Sequence, residues 1–392
     1  MRKSFTDLLN QSIQGKVVLV RVDFNAPIKD GIVADNTRIK ASLNTIKALT
    51  KKGARVVLIS HLNRPGGQVV ESQRLTPVKN DLQALLGHKV LKLDECVGPT
   101  VQHAIEQLND SDVLMLENIR FHKEEETNDV EFSKTLASYG DYFVQDAFGT
   151  VHRQHASTYG IAQHLPAFSG QLLDKELNYL SQVVESPDRP LTAIIGGAKI
   201  STKFSVLENL LNTVDVMILG GAMVYTLLAA KGISVGKSMV EPDLYPKALS
   251  FLNQVEEKGK TLYLPEDHVV VTDFNDPRSR SVVTSFNDNH IGVDAGPDSV
   301  DQICRLIDTS KTVFWNGPLG VFETPEFSNG TFSVAQSLAD ASHATTIVGG
   351  GDSIAAVNQA GVADHMNHIS TGGGASLEFL EGKLLPGIAI LS

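Results

Sequence analysis

LTAIIGGAKISTKFSVLENLL, residues 191–211, carries three structural instructions in one stretch. The apolar, largely β-branched run at 191–195 shows no polar alternation, which predicts a short strand buried on both faces. Gly196 and Gly197 then break the extended chain. Ile200, Phe204, Leu207 and Leu211 follow at helical spacing, so an amphipathic helix should pack back on the strand. Strand, glycine turn and helix in that order form the repeating element of a parallel α/β sheet. The same spacing brings Lys199 and Lys203, four apart, to one face at the start of the helix. Two cations at the positive end of a helix dipole are unfavourable without an anion, so the pair reads either as a phosphate site or as two solvated lysines.

Working outward, similar runs recur between longer amphipathic segments. KVVLVRVDF, ARVVLIS, DVLML and YFVQDAF lie in the first half, and VDVMILGG, TLYLP, TVFWNG and ATTIVGGG in the second. At 392 residues the chain has the length of two domains. The expected fold class is α/β, with two parallel-sheet, Rossmann-like lobes. QLLDKELNYLSQVVESPDRP, residues 171–190, has apolar residues at helical spacing and ends in a proline-punctuated turn, which suits a helix joining the lobes.

Hydrophobic residues make up 42% and charged residues 20%, the profile of an ordinary soluble globular protein. The net charge of −11 argues against nucleic acid or an acidic membrane as partner, because both need a broad basic surface. An anionic substrate would therefore have to be met by a local cluster of positive charge. No secretory signal and no membrane-length apolar run is visible, so the expected location is the cytoplasm. Cys96 and Cys304 lie far apart and lack metal-ligand spacing, and they receive no role. GISVGKSM, 232–239, imitates a phosphate loop, but only three residues separate Gly232 from Gly236 and the preceding segment is helical; it reads as a turn.

Ligands of open α/β sheets bind beyond the carboxyl ends of the strands, so those ends are the informative positions. In the first half they are polar and basic: Asp23 and Asn25, His61 and Arg64, Asn118 and Arg120, Asp146 and Arg153. With Arg38, the four guanidiniums could hold phosphate or carboxylate groups in bidentate geometry. HKEEETND, 122–129, reads as a solvated acidic loop, and His152 and His155 as structural. In the second half the ends are mainly glycine: GGAK at 196–199, GG at 220–221, NGPLG at 316–320, GGGD at 349–352 and STGGGAS at 370–376. Such glycines would let a ligand approach the backbone. Asp352 suits either a magnesium ion carried by a nucleotide or the cap of its helix.

RVDFNAP, SHLNRP, LENIRFHKEEE, DAFGTVHRQHAST, IIGGAKISTK, GGAM, WNGPLGVFE, VGGGDS and STGGGAS stand in the order, and near the spacing, of the phosphoglycerate kinase family. The chain resembles that family over essentially its whole length. The resemblance implies a phosphotransferase with a carboxyl group as acceptor, moving a phosphoryl group reversibly between 1,3-bisphosphoglycerate and Mg-ADP to give 3-phosphoglycerate and ATP in glycolysis. It implies an N-terminal substrate domain at 1–167, an interdomain helix and hinge at 168–186, a nucleotide domain at 187–375 and a C-terminal segment, 376–392, returning to the first domain. By motif, substrate binding falls on Asp23, Asn25, Arg38, His61, Arg64, Arg120 and Arg153. Nucleotide binding falls on Gly196, Gly197, Lys199, Lys203, Gly220, Gly221, Asn316, Pro318, Glu323, Gly349, Gly350, Gly351, Asp352 and Ser353, with Asp352 towards Mg²⁺. A monomer is implied, with small-molecule partners only.

Three positions depart from the family pattern: Asn63 where glycine is common, Gln145 where asparagine is, and Gln171 where an aromatic is. Asparagine tolerates positive φ better than most residues, so position 63 should survive the change. Both reacting oxygens are anionic near neutral pH, so no general base is needed, and none stands out. The expected catalytic groups are Arg38, Lys199 and Lys203, acting through position and charge as the lobes close around a hinge within 165–190. Two other functions fit the fold: a non-catalytic nucleotide- or anion-binding relic, and a kinase acting on another carboxylate.

Overall fold

The computed structural model describes residues 2–392, which group into two compact units: residues up to Asn178 with Leu384–Ser392, and Tyr179–Lys383. Each unit is built on a six-stranded sheet. In the first, the order across the sheet is Val90–Lys92, Val113–Met115, Arg55–Ile59, Val17–Arg21, Tyr142–Gln145 and Ala167–Ser169, every neighbouring pair parallel. Val17–Arg21 runs through the middle and all five of its residues are buried, as the unalternating apolar pattern requires. The helix Thr37–Lys51 covers one face through Ile39, Ser42, Ile46 and Leu49, a helical stripe. Fully burying side chains such as Ile39 and Leu49 contributes roughly 1.5–3 kcal/mol each.

In the second unit the order is Thr261–Tyr263, Val216–Leu219, Leu191–Ile195, Thr312–Asn316, Thr345–Gly349 and His368–Ile369, again parallel throughout. The core around it holds Trp315, Ile194, Ile218 and Val348, all with no exposed surface. This unit also carries a three-stranded antiparallel sheet, Ser281–Val283, His268–Val271 and Ile291–Ala295, for which the sequence reading had no counterpart. Its strands are short and separated by polar turns, which left the apolar pattern too weak to notice.

Gln171–Val184 forms a helix within the stretch 171–190, as its periodicity predicts. The buried Asp146 carboxylate holds its first turn, accepting from the Leu172 amide at 2.9 Å and the Leu173 amide at 3.3 Å. The chain end lies on the first unit: Lys3 N donates to Leu391 O at 3.0 Å and Gly387 N to Val151 O at 2.8 Å. Gly374–Leu380 instead lies with the second unit, where Asn209 Nδ2 donates to Leu380 O. The returning segment thus spans Leu384–Ser392, shorter than a start at 376 would give.

Candidate functional site

Because every strand of the first sheet is parallel, all its carboxyl ends share one edge. The four central strands deliver Asp23, His61, Arg120 and Arg153 there. Asp23 is nearly buried and pairs with Arg38 Nη1, while His61 Nδ1 lies 3.9 Å from the other Asp23 oxygen. Asn63 has φ 57°, in the left-handed region where glycine is favoured and asparagine tolerated. That conformation is used twice: the Asn63 amide donates to Asn25 Oδ1 at 2.8 Å, and its carbonyl accepts from Arg120 Nη1 at 2.7 Å. Gln145 is buried and satisfied, donating to Thr158 O at 3.1 Å and accepting from the Ala147 amide at 3.1 Å. At the third departure, the Gln171 amide donates to Thr45 Oγ1 at 3.0 Å. Arg64 is exposed, whereas Asn118 serves the backbone, bonding the amides of Leu62 and Arg120.

The electrostatics show how closely the cations converge. Burial holds His61 well below the usual imidazole range, and Arg21, Arg120, Arg38 and Arg153 push it further, so the ring is neutral. Burial first, then the charges of Arg21 and Arg153, lower Arg120 to about 10. The Arg120 Nε is buried without a hydrogen bond. Asp23 at Arg38, Glu125 near Arg21 and Glu126 Oε1, 3.5 Å from Arg120 Nε, offset part of this charge, and an anionic ligand would offset more.

Arg21 is the member that the sequence reading missed. It is wholly buried, lies 3.2 Å from His61 Nδ1, and donates through Nε to Ser157 Oγ at 2.8 Å. A guanidinium inside the apolar run KVVLVRVDF was the available signal. Its counter-charge corrects another expectation: 122–129 is not simply a solvated loop. Glu125 in the short helix Lys123–Glu126 is fully buried and binds the Ser157 amide at 2.8 Å and hydroxyl at 2.6 Å. His155 Nδ1 lies 3.7 Å from the same carboxylate.

In the second unit, Lys199 and Lys203 are not successive turns of one helix. Lys199 is extended and exposed, a 3₁₀ turn spans Ile200–Thr202, and Lys203 caps the helix Phe204–Leu210. The 3₁₀ turn separates the lysines, so only Lys203 turns inward; its Nζ lies 2.5 Å from Asn316 Oδ1. Burial lowers the Lys203 pKa, and the Asp352 charge partly restores it. Asn316 Nδ2 is buried with no partner, beside Gly350.

The glycines divide by purpose. A Cβ at Gly196 would collide with the Pro318 carbonyl, at Gly220 with Leu319 and at Gly221 with Gly197, so these keep neighbouring loops in contact. Gly351 meets open space at the start of the helix Gly351–Gln359, and Gly197 only Lys203 Cε at 3.8 Å, so both are open to a ligand's approach. Gly349 ends its strand, and Gly350 caps that helix. Asp352 is exposed and makes no cap bond, which removes the capping alternative. Ser353 is buried and accepts from the Gly317 amide at 2.6 Å, fixing the turn after Asn316. A cavity of about 260 Å³ gathers Gly197, Gly221, Pro318, Glu323 and Asp352. Its remaining wall includes Tyr225, Gly292 and Val293, the last two from the unforeseen antiparallel sheet.

GISVGKSM is a turn. Lys237 N donates to His290 O at 2.7 Å, and Ser238 Oγ accepts from the Gly292 amide at 2.9 Å, which spends both groups on the fold. The cysteines are unpaired; Cys96 is buried against the Glu117 carbonyl. No helix among the described residues is long and apolar enough to cross a membrane. Among them, no three His, Cys, Asp or Glu side chains cluster to hold a metal. The exposed Asp352 carboxylate, a hard oxygen donor lining the 260 Å³ cavity, fits an ion that arrives already bound to phosphates.

The family model for phosphoglycerate kinase matches residues 8–383. A phosphoglycerate kinase from Dictyoglomus turgidum is 48% identical over 392 residues, covering 100% of this chain and 99% of its own. One from Rippkaea orientalis is 51% identical over 395 residues, with 100% and 99% covered. Among solved structures, phosphoglycerate kinase from Coxiella burnetii superposes with a TM-score of 0.91 at 38% identity, covering 100% of this chain and 99% of that one. The Pyrococcus horikoshii enzyme gives 0.84 at 31%, with 99% and 98% covered. By sequence over its full length and by fold, this chain belongs to the phosphoglycerate kinase family and is a phosphotransferase.

Proposed function

We propose that the protein transfers a phosphoryl group reversibly between 1,3-bisphosphoglycerate and ADP, giving 3-phosphoglycerate and ATP, as a cytoplasmic, monomeric glycolytic enzyme. The observation that carries the reading is the crowding of Arg21, Arg38, Arg120 and Arg153 around a neutral His61, a charge pattern that calls for a polyanionic ligand. Arg38, Arg64, Arg120 and Arg153 would bind its phosphate and carboxylate, with Asp23, Asn25 and His61 holding the arginines and the loop in place. On the second unit, the 260 Å³ cavity would take the nucleotide base and ribose, and the open backbone at Gly351 its phosphates.

In the ATP-forming direction an ADP β-phosphate oxygen attacks the acyl phosphorus. The bond from phosphorus to the carboxylate oxygen breaks, and that oxygen leaves as a carboxylate. In the reverse direction the carboxylate attacks the γ-phosphorus and ADP leaves. Neither direction needs a proton removed, so positioning and charge neutralisation supply the catalysis. Arg38 and Lys203 would stabilise the transferring group, and Lys199 would guide it. Asp352 would hold Mg²⁺ carried by the nucleotide, whose charge would offset that of the phosphates. Reactants bound on separate units require closure, which would also exclude the water that hydrolyses acyl phosphates.

The test is ATP-dependent phosphorylation of 3-phosphoglycerate, coupled to oxidation of a nicotinamide cofactor, with acetate as control. Turnover with 3-phosphoglycerate alone is expected. Acetate turnover at a similar rate would indicate a kinase for another carboxylate, and no turnover a binding relic. Arg38→Ala should leave ATP binding intact while lowering turnover by about 10²–10³; near-normal turnover removes Arg38 from its role.

A further inference from the structure

The second unit holds a cavity larger than the one that gathers the nucleotide residues. It measures about 740 Å³, within the usual range for small-molecule sites, against 260 Å³ for the other. It lies between the helix Tyr245–Glu257, the edge strand Thr261–Tyr263 and the small antiparallel sheet. Leu228, Leu252, Val255 and Leu262 supply apolar wall, and Phe286 and His268 supply aromatic faces.

His268 is the informative group. It is only 4% exposed, it lines this cavity, and it sits against two rings, 5.0 Å to Phe286 and 5.5 Å to Tyr225, with the charge of Asp267 nearby. Neither ring nitrogen has a hydrogen bond among the described residues, although a buried imidazole ordinarily finds one. Burial lowers its pKa to about 4, so at neutral pH it presents one donor and one acceptor without charge. At the rim, Lys231 and Lys260 are balanced by Glu256 and Glu266, which favours a ligand of no net charge. Tyr225 touches both His268 and Phe286, at 5.5 Å each, and also lines the nucleotide cavity, so the aromatic trio is a partition between two separate spaces.

We propose that this cavity is a second small-molecule site, taking a neutral planar aromatic ligand that stacks on Phe286 and hydrogen-bonds His268. It stands apart from phosphoryl transfer and does not depend on the catalytic reading above.

The probe is N-phenyl-1-naphthylamine, neutral, aromatic, bearing one N–H and fluorescent in apolar surroundings. With the full-length protein, saturable binding at one site is expected, and saturating Mg-ATP should shift the probe's Kd by less than about threefold. Asn253→Trp places a large ring at the exposed rim on the helix surface and should weaken the probe at least tenfold, leaving the KM for ATP unchanged. His268→Phe keeps an aromatic wall but removes the hydrogen bond and should weaken it severalfold. Displacement to baseline by Mg-ATP would put the probe in the nucleotide cavity. That outcome, unaltered binding in Asn253→Trp, or non-saturable partition each overturns the proposal.

Discussion

Replacing Lys203 by methionine separates a lysine kept for chemistry from one kept for structure. Its ammonium is largely withdrawn from water, with a neutral amide, Asn316 Oδ1 at 2.5 Å, as its hydrogen-bond partner. Burial therefore pulls its pKa down, which means that folding is opposed by this charge below both the folded and the unfolded pKa. The penalty is relieved as pH rises towards the ordinary lysine value, so stability should climb there in the wild type and not in the variant. Methionine removes the buried charge and keeps the chain length. It also leaves Asn316 Oδ1 unpaired, at a cost of roughly 1–3 kcal/mol. Removal of a poorly compensated ammonium returns a comparable amount. The net change in unliganded stability should fall within about 1 kcal/mol, or roughly 2–4 °C in Tm for a domain of this size. Catalysis gives no such offset: loss of one positioned charge costs about 2.7–4 kcal/mol, or 10²–10³ in turnover. Thermal unfolding without nucleotide and the coupled kinase assay measure the two effects. A large fall in Tm with turnover preserved within about threefold would refute the reasoning and make Lys203 structural.

Three further substitutions, at two positions, test other parts of the structure. Asn63→Gly should leave stability within about 1 kcal/mol and the KM for 3-phosphoglycerate within about twofold. Asn63→Val, forced into the left-handed region, should cost about 1–2 kcal/mol and raise that KM through the Arg120 contact, as read by urea unfolding and steady-state kinetics. An equal KM in Asn63→Val would break the link between loop and substrate. Asp294 is buried, and although the amides of Gly330 and Ala295 donate to it, burial raises its pKa to about 7. Between about pH 4 and pH 7 the folded state holds the proton that the unfolded state has lost, so stability falls as pH rises, by up to about 1.4 kcal/mol per unit. Denaturant titrations across that window should show a flatter dependence for Asp294→Asn; equal slopes would refute the assignment.

The sequence by itself determined the class of fold and most of what collects at the strand ends. Unalternating apolar runs of four or five residues have few options other than a strand covered on both faces. Nine ordered motifs fixed the family for the same local reason, since each follows or flanks a strand end where residue types are dictated by backbone or charge. What the sequence could not decide was which local pattern the rest of the protein would use. Lys199 and Lys203 have helical spacing, but a 3₁₀ turn intervenes and only one side chain is drawn inward. The acidic run at 122–129 looks solvated, yet Glu125 is buried because a long-range partner, Ser157, and the nearby charge of Arg21 compensate it. Gly196, Gly220 and Gly221 look open to a ligand but are required by chain segments distant in sequence. The wall at Gly292 and Val293, and the unpaired imidazole of His268, exist only because a weakly patterned antiparallel sheet folds beside the parallel one. Periodicity and turn chemistry are local and survive in one dimension. Burial, pairing and cavity shape depend on contacts between distant segments, and only the tertiary structure decides those.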